Sequence, residues 1–306
     1  MKLGIDLGGT SAKIALVGEN LKILKETSVV SSGNPSPLEL TKKISSACFS
    51  LVHGKKISKV GVGVAGDIDF DKGIVRISPN LGWKKVPLKK LFEKNLKAQV
   101  IVDNDANVAA WGLYKTQVPP HVKNIIVMTL GTGVGGGIII DGKLLRGATG
   151  SAGEIGHMNI EEKGPLCNCG NLGCLETYIG GPHIVKKVLA GIKAGKKTIL
   201  SKVYKNNPDD ISPLAVSNAA KAGDSFAKSI WDEASHMLGL AIGDLVYLLN
   251  PERIYFTGGV AQAKNSILSP LFKTLYKRTF KTPIHAVKIQ VAENAPNIGV
   301  IGASLL

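Results

Sequence analysis

The sequence predicts an α/β protein with two domains. Its 306 residues are enough for two hydrophobic cores, since single domains usually contain about 100–200 residues. The glycine-rich segments at 4–18 and 128–142 resemble each other, which indicates a weak internal repeat with one copy opening each domain. No low-complexity linker separates the halves, so we expect a shared cleft and hinge. We expect residues 1–109 and 292–306 to form a small N-terminal α/β domain, and 110–291 a large α/β domain.

The first domain is expected to begin with a β-hairpin. Lys2–Asp6 and Ala12–Gly18 are apolar runs that favour strands, and Gly8-Gly9-Thr10 between them favours a tight turn with close backbone approach. Leu38–His53 has helical spacing, and Val60–Ala65 is rich in β-branched residues.

The following segments predict a helix and a second hairpin. Val100–Val102 favours a buried strand and Val108–Tyr114 a helix. Strands at Ile125–Leu130 and Ile138–Asp141 are joined by a predicted turn at Gly131–Gly137. The rest of the chain is mostly helix-favouring. Two more elements are expected: a strand at Arg253–Thr257, followed by Gly258 and Gly259, and a closing helix at Ile298–Leu306.

The formal net charge of +15 does not indicate nucleic-acid binding. Among 38 basic residues only Arg76, Arg146, Arg253 and Arg278 are arginine, whereas base recognition favours arginine forks and single-strand binding favours interleaved aromatic residues. We interpret the excess as a solvated lysine surface, or as an attraction for an anionic substrate such as a nucleotide. No run of eighteen apolar residues predicts a membrane span, and Asp6 interrupts any signal-peptide core, so we expect a cytoplasmic protein.

The glycine loops indicate phosphate binding. Gly131, Gly133 and Gly136 match a dinucleotide fingerprint, but β-branched Ile138–Ile140 follow where that motif needs a helix. The alternatives are a hairpin turn whose amides bind phosphate and a plain turn. Asp6, beside the first turn, is placed to hold Mg²⁺ directly or through water, and Lys13 either adds positive charge or is a surface lysine.

The cysteines predict a structural zinc site. Cys167, Cys169 and Cys174 lie within eight residues, and His157 precedes them by ten, so three sulfurs and one imidazole make a tetrahedral ligand set. Cys48 stands alone in a helical segment and is expected to be a buried small apolar residue.

Two carboxylates accompany the proposed zinc ligands. A ligating His157 keeps one ring nitrogen free to donate a hydrogen bond. Glu154 and Glu176 would then accept hydrogen bonds from a polyhydroxylated ligand, unless they are exposed surface carboxylates.

The chain resembles the ROK family of sugar kinases, and within it the bacterial ATP-dependent glucokinases. The resemblance runs end to end, and its zinc signature is highly specific. It is carried by DLGGTSAK (6–13), VDNDANVAAWG (102–112), LGTGVGGG (130–137), GEIGHMNIEEKGPLCNCGNLGCLE (153–176) and FTGGV (256–260).

The resemblance implies an actin/hexokinase-like (ribonuclease H-like) fold that closes over ATP and a hexose. It implies transfer of the γ-phosphoryl group to the sugar 6-hydroxyl, Asp105 as general base, one structural zinc per chain, Mg²⁺ with ATP, and a homodimer or homotetramer. The implied sugar contacts are Asn80, Asn104, Asp105, Glu154, His157 and Glu176. The implied ATP and phosphate contacts are Asp6, Gly8, Gly9, Thr10, Lys13, Gly131, Thr132, Gly133, Gly258 and Gly259.

Other functions remain open at this point. An N-acetylmannosamine or N-acetylglucosamine kinase, or a fructokinase, would carry the same motifs, and the phosphoryl donor could be ATP or polyphosphate. A sugar-responsive regulator of the same family would carry an added N-terminal helix-turn-helix domain. We expect none here because the hairpin begins at residue 2.

Overall fold

The computed structural model describes residues 2–33, 35–53, 56–278, 280–293 and 297–306. They form two compact units, which confirms the two-domain α/β prediction. The predicted boundary at 109–110 lies inside a continuous helix, and the units divide after residue 123 instead. Unit 1 comprises Met1–Lys123, Gly136–Gly153 and Asn294–Leu306, and unit 2 comprises Asn124–Gly135 and Glu154–Glu293.

The strands of the described residues are β1 (Lys2–Leu7), β2 (Ser11–Val17), β3 (Ile23–Val30), β4 (Lys59–Val64), β5 (Asp67–Asp69), β6 (Ile74–Ser78), β7 (Trp83–Val86), β8 (Gln99–Asn104), β9 (Ile125–Leu130), β10 (Val134–Ile140), β11 (Lys143–Leu144), β12 (Arg253–Thr257) and β13 (Lys288–Val291). They form two five-stranded sheets and one three-stranded sheet, with the orders β3-β2-β1-β4-β8, β11-β10-β9-β12-β13 and β5-β6-β7. The first sheet is mixed, because β1 pairs antiparallel with β2 and parallel with β4.

Helices follow the predicted apolar periodicity. In the first helix Leu40, Ile44 and Cys48 are fully buried at four-residue spacing, so Cys48 is the small apolar core residue that was expected. None of the described helices combines the length and apolar composition of a membrane span. The helices are α1 (Pro37–Leu51), α2 (Leu88–Leu96), α3 (Asp105–Gln117), α4 (Glu176–Ile179), α5 (Gly181–Lys193), α6 (Leu200–Asn206), α7 (Pro213–Lys221), α8 (Ser225–Leu249), α9 (Asn265–Leu275), α10 (Lys281–Ala286) and α11 (Ile298–Ser304).

The predicted closing helix is confirmed as α11, and it packs into unit 1 through glycine. A Cβ atom on Gly61 of β4 would lie 1.7 Å from the Ala303 carbonyl oxygen, and one on Gly302 would lie 1.7 Å from that of Val108. Side chains at these positions would separate α11 from the sheet and from α3. The glycines therefore let α11 pack against its neighbours with backbone in contact with backbone.

The predicted turn at Gly131–Gly137 is too long. β10 begins at Val134, so its later glycines lie in a strand. A Cβ atom on Gly137 would lie 2.3 Å from the Cβ of Ala110 in α3. Gly137 is therefore required by close helix packing rather than by a turn.

Candidate active site and metal centre

Three charged residues of the first glycine hairpin and α3 are brought together in unit 1. Asp6 and Lys13 are directly opposite each other in the β1–β2 register. Burial, and after it the negative charge of Asp105, raise the pKa of Asp6 to about 6, against the opposing effect of the Lys13 positive charge. The three predicted site residues Asp6, Lys13 and Asp105 therefore form one acidic centre with a lysine beside it.

Asp105 is the first residue of α3, where β8 ends. The Asn104 side chain caps the helix, since its Oδ1 accepts from the backbone N–H groups of Ala106 at 2.8 Å and Asn107 at 3.1 Å. Asn104 Nδ2 donates to the Gly66 carbonyl at 3.0 Å. Burial raises the pKa of Asp105, while hydrogen bonding from the Ala106 amide opposes the shift. Asn104 thus has a structural role in fixing the residue that follows it.

The first glycine turn lies against Asn80. A Cβ atom on Gly9 would lie 2.8 Å from the Asn80 Cβ, so this contact requires glycine. Ser31 anchors the turn, because its hydroxyl donates to the Gly8 carbonyl at 2.6 Å and its N–H donates to the Thr10 carbonyl at 3.0 Å. Unit 1 therefore groups Asn80 with the predicted phosphate turn.

The four predicted metal ligands of unit 2 form one cluster. The ligand atoms of His157, Cys167, Cys169 and Cys174 all lie within 4.8 Å of one another. The loop that carries them closes through short backbone hydrogen bonds, such as Cys167 N–H to the Asn171 carbonyl at 2.8 Å. Gly170 and Gly173 make its turns with φ values of 95° and 64°.

The cluster fits tetrahedral zinc. Zn–S bonds of about 2.3 Å at tetrahedral angles place two sulfurs about 3.8 Å apart. The Sγ atoms of Cys169 and Cys174 are 3.6 Å apart, and Cys167 Sγ is 3.8 Å from His157 Nδ1. No disulfide bond engages any of the three cysteines. The imidazole thus turns Nδ1 toward the sulfurs.

The two predicted carboxylates differ in their surroundings. Glu154 Oε2 lies 4.0 Å from His157 Nε2, on the ring edge away from the sulfurs, and its side chain is 47% exposed. Glu176 lies deeper, where its Oε2 accepts from the Val134 N–H at 2.9 Å and its Oε1 is 4.0 Å from Cys167 Sγ. Glu176 therefore connects the metal cluster to the second glycine loop.

The second glycine loop and the Gly258-Gly259 turn are neighbours in unit 2. Gly131 accepts a backbone hydrogen bond from Gly181 at 2.8 Å, which ties the loop to the start of α5. A Cβ atom on Gly258 would lie 2.5 Å from the carbonyl oxygen of Leu130, the last residue of β9. Thr132, between the loop glycines, is exposed.

Sequence reasoning missed Asp103 and Arg146. Both Nε and Nη2 of Arg146 donate to Asp103 Oδ2 at 2.9 Å, although the residues are 43 positions apart. The amino-acid composition could have pointed to Arg146. Only four of the 38 basic residues are arginine, and an arginine in such a chain is expected where a planar fork is needed. Arg76 and Arg278 likewise pair with aspartates.

Known proteins resemble this chain over most or nearly all of its length. The glucokinase of Halalkalibacterium halodurans is 35% identical over 310 aligned residues, covering 99% of this chain and 94% of that protein. The crystal structure of a ROK family glucokinase from Streptomyces griseus in complex with glucose and AMPPNP has a TM-score of 0.85 and 32% identity, covering 99% of this chain and 97% of that one. The xylose repressor of Caldicellulosiruptor bescii is 32% identical over 248 residues, covering 81% of this chain and 62% of the repressor.

These likenesses agree with the fold described above. The structural match confirms the actin/hexokinase-like fold class that the motifs imply. The model of the ROK family matches residues 2–306. The chain therefore belongs to the ROK family.

Proposed function

We propose that the protein is a sugar kinase that transfers the γ-phosphoryl group of ATP to the 6-hydroxyl of a hexose, with glucose as its preferred sugar. The observation that carries this proposal is Asp105, a carboxyl with a raised pKa held at the capped start of α3. Its setting suits a general base, because burial makes the carboxylate more basic. The similarity to glucokinases supports the choice of glucose.

In this mechanism Asp105 orients the sugar hydroxyl and accepts its proton late, because phosphoryl transfer passes through a loose transition state. Positioning and charge neutralisation then supply most of the rate. The Asp6 carboxylate would hold Mg²⁺, which neutralises charge on the phosphates when ATP is bound. The amides of Gly8, Gly9 and Thr10 and of Gly131, Thr132 and Gly133 would bind phosphate, with Lys13 adding positive charge and Gly258 and Gly259 on the adenosine side.

Zinc is the metal proposed for the cluster of His157, Cys167, Cys169 and Cys174. It would fix the imidazole through Nδ1 and leave Nε2 to donate to a sugar hydroxyl. Glu154 and Glu176 would accept from other hydroxyls, and Asn80 and Asn104 would complete the sugar contacts. We further expect a cytoplasmic homodimer or homotetramer.

Two alternatives are carried forward. The same residues would serve an N-acetylmannosamine or N-acetylglucosamine kinase or a fructokinase. A regulator that binds sugar without turnover is favoured by one observation, the 32% identity to a xylose repressor over 81% of this chain.

The test is a coupled kinase assay that crosses sugars with phosphoryl donors. Glucose, mannose, fructose, xylose and both N-acetylhexosamines are each assayed with ATP and with polyphosphate, and sugar binding is followed by thermal shift. We expect the highest kcat/KM with glucose and ATP. A faster rate with another sugar would replace glucose, and binding without turnover would establish the regulator.

A further inference from the structure

Asp103, at the end of β8, is a buried carboxylate with every hydrogen-bonding position engaged. Its side chain is 1% exposed. Oδ1 accepts from the Asn104 N–H at 2.8 Å and from Asn107 Nδ2 at 3.0 Å. Oδ2 accepts from both Nε and Nη2 of Arg146 at 2.9 Å. These four hydrogen bonds join α3 to a segment that lies 43 residues further along the chain.

Arg146 is itself fixed by its surroundings. Its guanidinium stacks on the ring of Phe70 at 3.9 Å, and its carbonyl accepts from the Ala152 N–H at 3.0 Å. The segment that follows is tied to β5 and β6, since Arg76 donates to the Thr149 carbonyl at 2.6 Å and Ser151 donates to Asp67 at 2.7 Å. The segment that begins at Arg146 is therefore held in place against β5 and β6, and the Arg146 guanidinium reaches Asp103 from this fixed position.

The pair of Asp103 and Arg146 is linked by hydrogen bonds to the residues on both sides of Asp105. Asp103 binds the backbone of Asn104 and the side chain of Asn107, and Asn104 in turn caps α3, whose first residue is Asp105. A buried carboxylate that loses its cation is strongly destabilised and would rearrange toward water. A lysine retains the charge, but it lacks the planar fork that makes two bonds to one carboxylate and stacks on Phe70.

We propose that Asp103 and Arg146 are positioning residues that hold Asp105 in its reactive orientation; this inference rests on the proposed kinase function. Neither residue contributes a group to the reaction. Their effect is expected in kcat, with sugar affinity retained, because small displacements of a reacting group are costly, about 100-fold for an error near 1 Å.

The test compares Arg146→Lys, Arg146→Met and the double variant Asp103→Asn/Arg146→Met with the wild type. Arg278→Lys is the matched control, because Arg278 also pairs with an aspartate, Asp244, which lies in unit 2. The double variant leaves no unpaired buried carboxylate, so it stays folded if Arg146→Met does not. We expect kcat to fall roughly 10- to 100-fold in the Arg146 variants with a sugar Kd within about twofold.

Hydrogen exchange of the peptide that covers residues 103–108 gives a readout that needs no activity. We expect faster exchange there in Arg146→Lys than in Arg278→Lys at equal global stability. Unchanged exchange and a kcat within twofold of the wild type would overturn the positioning role. A wild type that phosphorylates no sugar would instead overturn the kinase proposal, and the exchange data would still decide whether Arg146 fixes the start of α3.

Discussion

Asp6 near the end of β1 and Asp105 at the start of α3 interact through their charges. The negative charge of Asp105 adds to the effect of burial, and together they raise the pKa of Asp6 to about 6. The ordinary pKa of an aspartate is 3.8, so folded Asp6 binds its proton more tightly than unfolded Asp6 does. The stabilisation this gives is present below pH 4 and is lost as the pH rises to about 6. Above pH 6 the Asp6 carboxylate is ionised, and this lowers the free energy of unfolding.

Asp6→Asn is therefore expected to stabilise the metal-free protein above pH 6 while abolishing ATP turnover. The gain in unfolding free energy is about 1–3 kcal/mol at pH 7.5, since one pKa unit corresponds to about 1.4 kcal/mol. Denaturant unfolding of both proteins at pH 5 and pH 7.5 measures it. A gain at pH 5 as large as that at pH 7.5 would show that ionisation of Asp6 is not the cause.

Asp105→Asn is expected to nearly abolish phosphoryl transfer and leave sugar binding largely intact. Asparagine keeps the shape of the side chain and cannot accept the hydroxyl proton. General base catalysis contributes about 10²- to 10⁴-fold, and the loss should lie in that range. Steady-state kinetics with glucose and ATP, together with a sugar titration, test it. Retention of more than about a tenth of the wild-type rate would rule out Asp105 as the base.

Cys169→Ala is expected to lose the metal and weaken sugar affinity together. Without Cys169 only His157, Cys167 and Cys174 remain, and three ligands cannot fill the four positions of a tetrahedral zinc site. Metal analysis should find about one zinc per wild-type chain and much less in the variant. Cys48→Ala is the control, because Cys48 is buried in the unit 1 core and should leave zinc content unchanged. Unaltered sugar affinity in zinc-free protein would show that the metal does not orient the sugar contacts.

Gly133→Ala is expected to destabilise unit 2, whereas Gly131→Ala should leave its melting temperature nearly unchanged. A Cβ atom on Gly133 would lie 2.5 Å from Glu176 Oε2, which accepts from the Val134 N–H; one on Gly131 would meet no described atom within 4 Å. Displacing Glu176 should cost about 1–3 kcal/mol. Thermal unfolding of the two variants side by side gives the comparison. Equal melting temperatures would mean that Glu176 moves aside freely.

Local patterns predicted the parts of the fold in which neighbouring residues decide the structure. The hairpin of β1 and β2 follows from two apolar runs around a glycine turn, and α1 follows from apolar residues at helical spacing. The three-stranded sheet was missed, because β5 has three residues and β7 only four, and both are too short to show a period.

The candidate site shows the same limit. The metal ligands could be predicted because all four lie between residues 157 and 174, and thiolate and imidazole have few other reasons to cluster. The pairing of Asp103 with Arg146 could not, because it joins residues 43 positions apart and depends on how the segment after β11 packs. The helix-cap role of Asn104 also required coordinates, since one asparagine can bind a ligand or a backbone.

The packing of α11 has a consequence for how the chain is made. The ribosome synthesises residues 298–304 after the whole of unit 2, yet these residues contact β1, β4 and α3 of unit 1. During translation the sheet that contains β1 and β4 therefore cannot complete its packing at first. Gly61, which contacts α11 in the folded protein, stays open to solvent until α11 has been made. N-terminal domains often fold first on the ribosome, but here unit 2 has all of its residues before unit 1 does. Emergence of residues 298–304 from the ribosome, rather than synthesis of residues 1–153, sets the earliest moment at which unit 1 can complete its packing.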